Sequence, residues 1–153
     1  MKKSIFYYLF AVVCTVCLFS ACSDDDDDDN KGITVAQIVG TYPGEMDITL
    51  AGNSVTKDLK TSIKVEKVSD SKVKIVLAGF TIPGILPQPM DITADCDVTS
   101  STNELKLAGN TSITVPGIGA LEAKITGDAD GKELDLKITV ESVQVVVDFD
   151  GQK

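Results

Sequence analysis

The chain has 153 residues with a formal net charge of −9, no histidine and no tryptophan, and every basic residue is a lysine. Without imidazole there is no histidine base for a serine or cysteine nucleophile and no imidazole metal ligand. The acidic balance also lacks the basic footprint that nucleic acid requires.

Lys2 and Lys3 open the chain, an apolar run follows from Ile5 to Ala21, and Ser20-Ala21 lead into Cys22. A basic start, a short apolar stretch and small residues at the cut describe a secretory signal over residues 1–21. The run falls short of the roughly 20 apolar residues of a membrane-crossing helix, and no basic stop-transfer cluster follows it. Leu18-Phe19-Ser20-Ala21-Cys22 resembles the bacterial lipobox. The resemblance implies cleavage before Cys22 and attachment of palmitate-type acyl chains to it, which would make the membrane a partner through that anchor. An ordinary signal peptide with a chance cysteine at its end is the alternative. Two acyl chains give stable attachment where one does not. Cys14 and Cys17 would leave with the signal, so Cys96 remains as a lone thiol and no intramolecular disulfide is expected. Loss of Lys2 and Lys3 would take the formal charge to about −11.

Residues 22–32 follow as a tether. Asp24 to Asp29 form an uninterrupted acidic block, which stays extended and solvated because it has nothing apolar to bury. Ten such residues reach roughly 35 Å, enough to hold a domain clear of lipid head groups. A plain spacer is one reading. Cys22-Ser23 with acidic residues after it also resembles the export signal that carries lipoproteins to the outer face of the outer membrane in a group of Gram-negative bacteria, which implies cell-surface display. A calcium site in the run is a third reading, but the run lacks a rigid turn and spaced ligands.

About 120 residues remain, 33–153, which suits one domain. Thr34 and Gln37 have capping-box spacing, Ile33 and Ile38 have staple spacing, and Gly40 ends the turn, so a short helix is expected first. From Tyr42 the period changes to two. Met46, Ile48 and Leu50 mark a first strand; Leu59, Thr61, Ile63 and Val65 a second; Val73, Ile75 and Leu77 a third. Met90, Ile92, Ala94, Cys96 and Val98 mark the fourth. Leu105, Leu107, Ile113 and Val115 give a fifth, and Leu121, Ala123 and Ile125 a sixth. Asp130-Gly131 is a hairpin signal before Leu134, Leu136, Ile138 and Val140 of the seventh. The apolar phase then moves to Val143, Val145, Val147 and Phe149, which requires a tight turn or bulge near Glu141-Ser142. Eight strands with short turns predict an all-β, up-and-down antiparallel barrel with a short N-terminal helix, rather than a Greek-key sandwich. The one long connection is Gly79 to Pro89.

With these elements in place, Gly40-Thr41-Tyr42-Pro43-Gly44 after a short helix resembles the Gly-x-aromatic entry of the calycin superfamily, which includes the lipocalins. More closely, the chain resembles the calycin-like β-barrel domain of secreted lipoproteins, whose closing strand is similar to Val147-Asp148-Phe149-Asp150-Gly151-Gln152-Lys153. The resemblance covers about residues 33 to 153 and implies an eight-stranded barrel, with no common activity to transfer. Two departures stand out: lipocalins usually carry tryptophan where Tyr42 stands, and a later arginine that packs on it.

In a meander barrel the connections after strands two, four and six share one end, and here they are polar; the helix belongs to that end. Two connections at the opposite end are apolar: Phe80-Thr81-Ile82-Pro83-Gly84-Ile85-Leu86-Pro87 and Val115-Pro116-Gly117-Ile118-Gly119. Their similarity reads as parallel turn chemistry. Phe80, Ile82, Ile85, Leu86 and Ile118 are therefore the candidate residues of a ligand mouth, of a contact with another envelope protein, or of a plug that fills the barrel.

Catalytic chemistry is missing. Cys96 has an inward register and reads as a small filler. Asp91, Asp95 and Asp97 share an outward face, where lysines such as Lys72, Lys74 or Lys106 would pair with them. Asp128, Asp130 and Glu133 read as a turn rather than a calcium loop, and Gly117-x-Gly119 has no helix behind it to make a phosphate loop. The expectation is a non-enzyme without cofactor or metal. It is either a binder of a small apolar, lipid-like ligand at the barrel mouth or an accessory subunit that docks an envelope protein. It would be anchored in the bacterial outer membrane and displayed at the cell surface.

Overall fold

The computed structural model describes residues 32–153; the signal segment, Cys22 and the acidic run lie outside the described residues. A four-residue helix, α1 (Val35–Ile38), precedes eight strands: β1 (Gly40–Leu50), β2 (Asn53–Ser69), β3 (Lys72–Ile82), β4 (Leu86–Ser100), β5 (Leu105–Val115), β6 (Gly119–Ala129), β7 (Glu133–Val140) and β8 (Val145–Gln152). Each pairs antiparallel with the next, and β8 returns to β1, so the barrel expected from the alternation is closed.

The reason is the two-residue period. Apolar side chains on one face of each strand point inward, while lysine, aspartate, glutamate and threonine occupy the other. The inward set forms one apolar cluster; among the described residues no charged side chain is buried, and Tyr42 brings a hydroxyl into the cluster. Full burial of one such aliphatic side chain contributes about 1.5–3 kcal/mol. Coiling a sheet this tightly also needs space. Gly44, Gly109 and Gly127 lie in the inward register, and a Cβ on any of them would strike the backbone of an adjacent strand far inside van der Waals contact.

Two local readings resolve in different ways. The phase change after β7 is absorbed by a 3-10 turn at Glu141–Val143 followed by Gln144 in the left-handed region, which is the tight turn that the phase change required. The Gly79-to-Pro89 connection, by contrast, is a correction. β3 continues to Ile82 and β4 starts at Leu86, so only Pro83-Gly84-Ile85 connects them. A bulge between Leu77 and Phe80, with Gly79 at φ 66°, reverses the inward phase from odd to even numbers and hides the strand from a strict alternation.

α1 lies at the polar end. Gln37 takes the Thr34 N–H on its side-chain oxygen at 2.7 Å, Ile38 is fully buried, and the helix ends at Val39, one residue before Gly40. Three contacts hold it there. The buried Tyr42 hydroxyl donates to the Ile38 carbonyl at 2.7 Å, and Lys153 Nζ donates to the Gln37 and Val39 carbonyls at 2.7 and 2.8 Å. The same ammonium stands 5.0 Å from the Tyr42 ring centroid, a cation–π distance. The contact therefore sets a cation over an aromatic ring at this end of the barrel.

Candidate functional site

The opposite end is built differently. β2 and β3 pair only from Ile63↔Leu77 to Ser69↔Lys72, and β4 and β5 only from Cys96↔Gly109 to Ser100↔Leu105. β6 and β7 pair from Lys124↔Thr139 to Ala129↔Leu134. The hairpins β1–β2, β3–β4 and β5–β6 nevertheless continue past these limits to their turns at Leu50↔Asn53, Ile82↔Leu86 and Val115↔Gly119. Beyond mid-barrel, therefore, three hairpins project without a backbone ladder between them. Thr111 Oγ1 bridges one gap by donating to the Thr93 carbonyl at 2.9 Å.

Two of the three tips have the same chemistry. The Ile85 N–H donates to the Ile82 carbonyl, and the Ile118 N–H to the Val115 carbonyl, both at 3.1 Å. Proline supplies the first central residue, and Gly84 and Gly117 supply the second at φ 84° and 85°. These are type II turns, so the echo in the sequence is turn chemistry.

The structure separates the five candidate residues. Phe80, Ile82 and Leu86 point inward and join the core cluster, Ile85 is half-buried, and Ile118 is 51% exposed. Ile82 and Leu86 at the β3–β4 tip are therefore part of the packed interior, with Ile85 against it. Inward side chains of this half range from 0% exposed at Ile48 and Val145 to 8% at Leu121, so all of these belong to the packed interior.

Outward aspartates brace the irregular backbone at Asp58 and Gly79 in this half. Asp47 on β1 accepts the Asp58 N–H at 2.7 Å, with Asp58 at φ 52°, and Asp91 on β4 accepts the Gly79 N–H at 2.9 Å. Reading the sequence by alternation assigned neither role. The only signals were Gly79 itself and the break of period at Thr56-Lys57-Asp58. That break also concerns Leu59, which has an inward register but is 40% exposed.

The remaining charged groups have structural partners. Asp97 pairs with Lys72 at 3.3 Å, and Asp95 stands opposite Lys74. Lys106 is a correction: it reaches Glu104 at 3.8 Å and Asp128 at 4.0 Å rather than the β4 aspartates, because the register sets Thr99 opposite it on β4 and Asp128 opposite it on β6. Asp130 accepts the N–H groups of Lys132 and Glu133 at 2.8 and 2.7 Å, which makes it a turn residue. Burial raises its carboxyl, but these backbone hydrogen bonds outweigh burial and hold it below the ordinary aspartate value. Burial pushes the Cys96 thiol up to about 11, with the charges of Asp95 and Asp97 adding to the effect. Among the described residues, no group of three or more cysteines and carboxylates is placed to hold a metal ion. Shallow grooves lie outside the barrel wall; one, of about 530 Å³, is lined by Glu45, Glu133, Asp135 and Asp150.

A family model described as the calycin-like beta-barrel domain matches residues 38–152. The chain belongs to this family. No curated protein matches it. Among solved structures, the calycin-like barrel is similar to a redesigned beta barrel, mFAP1, bound to DFHBI, with 18% identity over 78% of this chain and 97% of that one. The TM-score is 0.49, a likeness too slight to bear on a ligand.

Proposed function

We propose that this calycin-like barrel is a non-catalytic binding module. It takes a small apolar, lipid-like ligand at its split end and is held through lipid on Cys22 at the outer face of a bacterial outer membrane. The observation that carries the binding reading is the split end: the interior is apolar, and three hairpins part there without a backbone ladder between them. Apolar enclosures with few polar groups suit apolar ligands. The anchor rests on the segment Leu18 to Cys22, and surface display on the acidic run after it. The absence of histidine and the burial of Cys96, whose thiol remains protonated at neutral pH, support a role without catalysis. With the lipid ahead of α1, the split end faces away from the membrane.

The test is displacement of dansyl-undecanoate, a fluorescent fatty acid, from the purified domain by an unlabelled fatty acid. Saturable, displaceable binding is expected, and its absence overturns the reading. The exposed Ile118 favours a second reading, in which the tips dock another envelope protein. Loss of a co-purifying partner in Ile118→Asp, with fatty-acid binding absent from the wild type, would select it. Protease treatment of intact cells checks the display, with degradation of the domain expected.

A further inference from the structure

Charge is distributed unevenly between the two ends. Residues 48–56, 75–90 and 107–121 hold no charged side chain and residues 138–147 hold only Glu141, in a chain of which 24% is charged. These four runs span the tips of the three projecting hairpins and the β7–β8 connection. The β1–β2 and β7–β8 turns are tied together there, since the Ala51 N–H donates to the Gln144 carbonyl at 2.9 Å. Connections at the α1 end are the converse, with Lys67, Asp70 and Lys72 in one and Asp130, Lys132 and Glu133 in another. Alternation does not require the difference. Exposed outward positions of the split half are simply filled by Ala78, Asn110, Ser112, Thr114 and Ala120 instead of lysine and aspartate. Surfaces that stay in water normally carry charge, whereas the centres of protein contacts are depleted of it. Ile118 stands exposed on this face, and proline stiffens the two type II turns, so ordering them on association costs little.

We infer that the uncharged split end is where two copies of this chain meet, tip to tip. The inference goes beyond the binding reading and does not depend on it. A face without charge gives a charged partner nothing to pair with, so the surface that matches it is equally bare. A second copy presents such a surface. Charge also disfavours the other ways of bringing two copies together. Chains of net charge −9 repel one another, and the repulsion is least when the charged walls are kept apart and only Glu141 of each copy lies near the contact. Tip-to-tip contact puts the two α1 ends at opposite poles. With an anchor at Cys22, the copies so joined would stand on facing surfaces rather than side by side on one.

Sedimentation equilibrium of the purified chain from Ser23 onward, taken into the millimolar range, decides it. A monomer–dimer equilibrium is expected. Because the contact is apolar while the walls repel, its Kd should fall several-fold as salt rises from about 0.02 to about 0.5 M. Ile118→Asp places a carboxylate on each of the facing tips and should raise Kd about ten-fold or more. Val68, at the α1 end, is as exposed as Ile118, at 51%. Val68→Asp therefore adds the same charge to the opposite pole and should leave Kd within about two-fold. Both side chains are half in solvent, so neither substitution removes core packing. A chain that stays monomeric throughout overturns the inference, and so does an equal effect of the two substitutions. A Kd that rises with salt would replace the apolar contact by a charged one. Monomers that float with phosphatidylcholine vesicles would give the end to a lipid surface instead. None of these outcomes touches fatty-acid binding, which dansyl-undecanoate reads separately.

Discussion

In the half nearer α1 the ladders β2–β3, β4–β5 and β6–β7 are all present, although β1 from Gly40 to Pro43 is laddered to β2 alone, and the helix is fastened by the Tyr42 hydroxyl and the Lys153 ammonium. At the other end, β2, β3, β4, β5 and β6 each lose one ladder, and turns and bulges fix the hairpins singly. The two halves share the same apolar alternation, so burial alone does not distinguish them; hydrogen-bond connectivity does. Strands tied on both sides open only with the whole barrel, whereas a hairpin tied to its own partner can open locally. Stability is thereby concentrated in one half and adaptability in the other.

The largest test of this contrast uses two glycines. A Cβ at Gly44 would collide with the Asp150 carbonyl and the Gly151 Cα, backbone atoms that move only if β1 and β8 separate. Gly44→Ala should therefore cost about 3 kcal/mol or more. At Gly84, in a tip turn at φ 84°, a Cβ meets nothing within 4 Å, and Gly84→Ala should cost only the left-handed backbone penalty of about 1–2 kcal/mol. Urea unfolding of both variants measures the difference. Equal costs would mean that the strand closure is no stiffer than the tips.

Alkaline titration comes next. Burial pushes the Tyr42 phenol up to about 12, and the Asp130 charge adds to it. A folded pKa above the unfolded value of about 10 leaves stability intact below that pH and removes it as pH rises toward 12, by about 2–3 kcal/mol. Tyr42→Phe should abolish this alkaline loss at the cost of an unpaired Ile38 carbonyl. Urea unfolding from pH 7 to 11 checks it, and an alkaline loss that survives in Tyr42→Phe would remove Tyr42 from its cause.

The closed half was more legible in the sequence than the split half, for a physical reason. Ile63, Val65, Leu134, Leu136 and Phe149 lie in uninterrupted ladders, where the side-chain period of two is strict and a pattern of apolar residues is sufficient. The helix was likewise marked by Thr34 and Gln37. In the split half, bulges add residues without changing composition, so Phe80 and Ile82 lay in a strand that resembled a loop, and Leu59 lay in a strand whose neighbour had departed. Nor could alternation reveal that Lys153 would fold back onto Tyr42, since that contact joins the two ends of the domain through the closed sheet.

A pair of side-chain truncations, one in each half, gives the smallest effects and the finest discrimination. Lys153→Ala removes two charge-assisted hydrogen bonds and a ring contact, but from an exposed side chain, so about 1 kcal/mol is expected. Asp91→Ala frees the Gly79 N–H at the bulge, which is exposed to water, and should likewise cost about 1 kcal/mol or less. Similar global costs would conceal different locations, so amide hydrogen exchange is the better measurement. Lys153→Ala should speed exchange around Ile38 and Tyr42 and leave β3 beyond Leu77 unchanged. Asp91→Ala should do the reverse, loosening Gly79 to Ile82 while α1 stays protected, because no ladder from β2 passes the disturbance on. Exchange that spreads from either site through the whole barrel would show one cooperative unit, and the division between a fixed half and an adaptable half would fail.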